Sequence, residues 1–183
     1  MPVICSRGSL VGMDVRQRAA EVPTVALVNA VVWQRRAYLV MCLLLLAQFL
    51  LGMVVNLLVQ IPTHHPGARP GEYFSGSAAS IGWAIPHGPG WLAAHVALGL
   101  ALVLAGVAGA VFGIRRGGRV PITTAVLGFL AILGAAFNGA SFLDYNKNVS
   151  SMIMAGCFAL ALACYSIGLY PLGPITHHDR PHP

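Results

Sequence analysis

His95 has the strongest claim on chemistry in this sequence, because it is an ionisable side chain inside an otherwise apolar stretch from Trp91 to Ile114. An imidazole in such a place is a candidate functional group by default. It could ligate a haem iron, hydrogen-bond a quinone, or bond another side chain across a helix bundle. A b-type haem takes two axial donors, typically His with His or His with Met. Gly99 lies one helical turn from His95 and would leave room for a porphyrin face, and no other apolar stretch holds a histidine, so the second donor would be Met152, Met154 or a histidine of the connection before Trp91. With Asn56 and Asn138 as polar lining, these residues form the expected cofactor-binding set for haem b or a quinone. In the alternative, His95 only bonds Asn138 or Asn56 and holds nothing.

A second group, His64, His65 and His87, falls in the connection before Trp91. Imidazole suits copper and zinc, so an outward-facing metal site is a further expectation. Adjacent His64 and His65 diverge in extended backbone, which weakens it. Ser141 and Ser151 have no Ser–His–carboxylate spacing around them, so no acyl-transfer enzyme is expected.

The elements that must position these residues follow from composition. Of 183 residues, 57% are apolar and only 9% charged, too few charges to cover a water-soluble globule. This predicts an integral membrane protein and excludes a secreted disulfide scaffold, a nucleic-acid binder and a cytosolic enzyme domain. Four apolar runs, near Ala37–Gln60, Trp91–Ile114, Val120–Leu143 and Ser151–Tyr170, reach the ~20 residues a helix needs to cross ~30 Å of hydrocarbon. Leu43-Leu44-Leu45-Leu46 lacks the alternation of a membrane strand. The expected fold is all-α, with four transmembrane helices in an up-down-up-down bundle and short connections after the second and third spans.

Three segments are expected: a cytoplasmic or interfacial stretch 1–36, a membrane domain 37–170 with a long outer loop at 61–90, and a cytoplasmic tail 171–183. Arg7, Arg16, Arg18, Arg35, Arg36, Arg115, Arg116, Arg119 and Arg180 fall on one side of the spans, against Arg69 and Lys147 on the other. Both termini should therefore face the cytoplasm of a plasma membrane. Ten Arg against one Lys fits a GC-rich bacterial genome. Val22–Trp33 would be a lead-in helix of about 18 Å, and Met13 is an alternative start to Met1. Cys5, Cys42, Cys157 and Cys164 all miss the oxidising side, so disulfides are not expected. The Asn148-Val149-Ser150 tripeptide serves better as a helix cap than as a glycosylation acceptor. His177, His178 and His182 read as a solvated tail.

The 61–90 connection is rich in Pro and Gly yet carries Tyr73, Phe74 and Trp83, poor choices for a solvated linker. It should fold back as a lid, with Ser75 or Ser77 capping a short helix. Counting 1.5 Å per residue from the span ends puts His95, Asn56, Asn138 and Met154 roughly 5–8 Å below the outer boundary. Asp144, Gln60, Ser141 and Ser151 would stand just above this layer. Gln48, Gly52, Asn56 and Gln60 share one face of the first span, which should look inward. Stripes of small residues at every fourth position, Ala101–Gly113, Ala131–Gly139 and Ala155–Ala163, predict close helix packing within the bundle or between protomers. The chain so read is a non-catalytic accessory or structural subunit of a membrane complex, or a homo-oligomer in the bilayer. A haem b or quinone-binding electron-transfer protein is the alternative.

Overall fold

The structure is a computed structural model, which describes residues 9–116 and 118–170. Cys5 and the tail histidines lie outside the described residues. The chain divides into two compact units, Met1–Arg36 and Ala37–Pro183. Within the first, the lead-in expected at Val22–Trp33 is not a separate element, because α1 runs unbroken from Ser9 to Leu58.

Four helices follow: α2 (Tyr73–His87), α3 (Gly90–Arg116), α4 (Arg119–Tyr145) and α5 (Asn148–Leu169). No strand occurs among the described residues. The stretches Asn29–Leu58, Gly90–Arg115, Arg119–Tyr145 and Asn148–Leu169 are each long and apolar enough to cross a membrane. Their outward faces carry large apolar side chains such as Leu43, Leu50, Leu57 and Leu104, the surface that a surrounding bilayer would cover.

Local sequence sets the breaks. Between α3 and α4, Gly118 sits at φ +90°, where a residue without Cβ carries no steric penalty. Pro121 then falls in the first turn of α4, where a missing N–H removes no helical bond. At the other end, Asn146 takes the left-handed conformation and its N–H returns to the Phe142 carbonyl at 2.8 Å, the usual helix stop.

Small residues are used unevenly in the packing. A Cβ on Gly106 would meet Phe129 and Ile132, and one on Gly113 would meet Ala125 and Pro121. On α4, Gly128 faces Tyr165, Gly134 faces Cys157 and Gly139 faces Met154. The Ala155, Ala159 and Ala163 stripe of α5, by contrast, is exposed. Helix α1 is seated by side chains, with Tyr38 edge-on to Tyr165 at 5.6 Å, Phe49 stacked on Phe158 at 4.9 Å, and Cys42 beside Ser166.

The 61–90 connection is ordered on the bundle, and α2 packs on both α3 and α4. Val55, Ala84, Leu92 and Leu143 form a buried cluster there, and Ile81 and Trp83 close it. Trp83 also stacks on His65 at 4.6 Å. Neither serine caps α2, contrary to expectation. Its N-cap is Glu72, without a side-chain bond, and Ser75 donates to the Glu72 carbonyl at 3.3 Å. Ser77 is spent on a different partner.

Candidate functional site

Helices α1 and α3 meet through a reciprocal pair of motifs. Each carries a polar side chain with glycine four residues on, Gln48 with Gly52 and His95 with Gly99. The His95 ring fills the space beside Gly52, where a Cβ would stand 3.0 Å from Cε1. Gln48 fills the space beside Gly99, where a Cβ would stand 3.1 Å from Nε2. The amide nitrogen of Gln48 donates to the His95 main-chain carbonyl at 3.1 Å and contacts ring Nε2 at 3.4 Å. The room beside Gly99 is therefore taken by an amide rather than left for a macrocycle.

Two atoms of this pair have no partner. His95 Nδ1 and Gln48 Oε1 are both buried and make no hydrogen bond, and a buried polar group left so costs about 1–3 kcal/mol. Both residues line a cavity of about 190 Å³ between α1, α3, α4 and α5. Its other walls are mostly apolar, from small Gly139, Ala135 and Ala161 to large Phe158, with Ile81 of α2 closing one side. Phe49, Met53 and Leu100 line it and are themselves exposed, so the cavity opens between helices onto the apolar outer surface.

The polar layer expected from depth is only partly assembled. Met154, Asn56 and Ser151 do line the cavity, although Asn56 is exposed. Asn138 instead donates back to the Gly134 carbonyl of its own helix at 2.8 Å. Met152 is 69% exposed and lies away from the cavity. The partner of His95 is thus Gln48, not Asn56 or Asn138. Helix ends account for part of the difference, because α1 stops at Leu58 rather than Gln60 and α3 begins at Gly90 rather than Trp91. These three residues together are ~4.5 Å along a helix, which brings His95 to the level of Gly52; the Gln48 side chain reaches it from one turn further along α1.

No family model, curated protein or solved structure matches the chain.

The loop histidines form no metal centre among the described residues, where no three His, Cys, Asp or Glu side chains come together. His64 contacts Thr63, and His65 reaches the Leu143 carbonyl through Nε2 at 3.2 Å while stacked on Trp83. His87 closes the last turn of α2, exposed.

Sequence reasoning missed the second polar cluster. Asp144, 3% exposed, accepts from Ser77 Oγ at Oδ2 and from Ser80 Oγ at Oδ1, each at 2.7 Å. Its main-chain carbonyl accepts from the Arg69 N–H at 3.0 Å. Tyr73 adds a bond to the Phe137 carbonyl at 2.9 Å and contacts Ser141. The clasp ties α2 to the end of α4 and so holds Ile81 against the cavity. The signal available was an acidic residue closing an apolar run opposite two serines three apart, one face of a short helix.

Proposed function

We propose that the chain is a small multi-pass protein of a bacterial plasma membrane, a non-catalytic subunit whose intramembrane cavity holds an apolar molecule by its polar head. The observation that carries this is the pairing of two unpartnered buried polar atoms, His95 Nδ1 and Gln48 Oε1, with an apolar cavity that opens between helices. Ligand sites have this composition, mostly apolar walls with a few convergent polar groups. At about 190 Å³ the space is smaller than the ~300–1,000 Å³ of typical enclosed pockets. That favours a head group whose tail trails out into lipid over an enclosed haem b.

Binding measured in lipid nanodiscs tests this reading. A lipid-soluble quinone/quinol pair should bind the wild type, and His95→Ala should weaken binding about tenfold, the equivalent of ~1.4 kcal/mol for one buried hydrogen bond. Gly52→Leu, which fills the notch of the His95 ring, should do the same. Unchanged affinity in both variants would refute the site.

The proposed order of the spans is up-down-up-down. It is supported by contacts that run in opposite directions along neighbouring helices: Gly106 to Phe129 with Gly113 to Pro121, Gly128 to Tyr165 with Gly139 to Met154, and Gln48 to Gly99 with Gly52 to His95. The nine-to-two distribution of basic residues supports cytoplasmic termini and an outer 61–90 segment. Reporter fusions after Arg116 and within 61–90 should therefore report opposite sides of the membrane, and a shared side would overturn the topology. Membership of a larger assembly, with a second copy or another subunit, is supported by the exposed Ala155, Ala159 and Ala163 stripe, which would let a neighbouring helix approach closely.

A further inference from the structure

We infer that the head group taken by this cavity is a hydroxyl, as in a quinol, and that the corresponding quinone carbonyl is discriminated against. The inference rests on the cavity reading above and adds the chemical class of the ligand. It comes from working out which hydrogen-bonding capacities the Gln48–His95 pair leaves unused.

The orientation of the Gln48 amide is fixed by its contact with the His95 main-chain oxygen at 3.1 Å. A carbonyl oxygen can only accept, so the amide atom facing it must be the nitrogen. That same nitrogen faces ring Nε2 at 3.4 Å. Because an amide nitrogen only donates, Nε2 must present its lone pair, and a neutral imidazole then carries its proton on Nδ1.

What remains for a ligand is one donor, Nδ1–H, and one acceptor, Oε1, and both atoms are buried without a partner. A hydroxyl group is donor and acceptor at once and has the capacity to answer both. A carbonyl answers only the donor and strands Oε1. Sites with a committed hydrogen-bonding group reject analogues that leave it unpaired much more strongly than apolar walls reject a change of shape. The walls here, Leu45, Phe49, Leu100 and Phe158 among them, suit the flat apolar body that both redox forms share. The Gln48–His95 pair is therefore the part of the site able to tell the two forms apart.

The test uses the whole protein in nanodiscs, with duroquinol and duroquinone as probes under anaerobic calorimetry. The expected result is quinol binding at least tenfold tighter than quinone. Equal affinities, or a preference for the quinone, would overturn the hydroxyl assignment and leave the cavity reading in place, as would be seen if a buried water only answers the two atoms. Binding of neither probe would overturn the cavity reading itself. A second readout needs no ligand. Nitrogen-15 shifts of the His95 ring should report the Nδ1–H tautomer, and an Nε2–H ring would refute the assignment.

Discussion

Asp144→Ala is expected to release α2 from the bundle. The substitution removes both short bonds that Ser77 and Ser80 make to α4. Ser80 keeps a longer contact with the Pro66 carbonyl at 3.4 Å, whereas Ser77 loses its acceptor, and a hydroxyl stranded away from water costs about 1–3 kcal/mol. The loss, about 1–3 kcal/mol for Ser77 with a smaller part from Ser80, would fall on one segment, because the bonds to Asp144 are the ones that join these serines to α4. Hydrogen exchange across 73–87 should accelerate by about one to two orders of magnitude while the centres of α3, α4 and α5 remain protected. Asp144→Asn should lose far less, since the amide keeps one acceptor oxygen and offers an N–H that a serine can accept. Unchanged exchange in the Ala variant would show that apolar packing of Trp83 and Ile81 holds α2 without the clasp.

Gly67→Ala should be comparably damaging for a different reason. Gly67 sits at φ +88°, a conformation that costs a residue with a side chain about 1–3 kcal/mol. Its new Cβ would also run into the Gly76 carbonyl oxygen and the Ser80 hydroxyl, and would stand 2.7 Å from the Ser80 amide nitrogen. Backbone atoms cannot swing aside as a flexible side chain can, so the segment before α2 must lift away. A thermal midpoint lowered by several degrees should follow. Gly71→Ala is the matched control, because nothing lies within 4 Å of a Cβ there, and its effect should stay within ~0.5 kcal/mol of wild type. Equal stability of the two variants would contradict the packing described at Gly67.

Much of the fold was legible because a membrane span is a matter of length and polarity, both written locally. Three of the four runs read from sequence match, to within a few residues, helices long and apolar enough to cross a membrane, and the first differs mainly at its start, where α1 extends back to Ser9. His95 was legible for the same reason, as the ionisable residue in an apolar run. Its partner was not, because the choice among Gln48, Asn56 and Asn138 depends on where each helix ends and how it is rotated about its axis. Asn138 and Gln48 are equally plausible amides by type. Only the glycine four residues after Gln48, matched by the one after His95, distinguishes the pair that interlocks. The Asp144 clasp joins residues 64 and 67 positions apart, and nothing local to either side announces the other.

That separation has a consequence for how the protein is made. When Ser77 and Ser80 leave the ribosome, the carboxylate that will accept their hydroxyls has not yet been synthesised. At about 5–20 residues per second, the 64 to 67 residues between them take roughly 3–13 s to arrive. During that interval Ser77 has only water as a partner and Ser80 only water and the earlier Pro66 carbonyl, while α3 has already been made. The Asp144 clasp over the cavity can thus close only after α4 has arrived, later than the apolar contacts of α2 with α3.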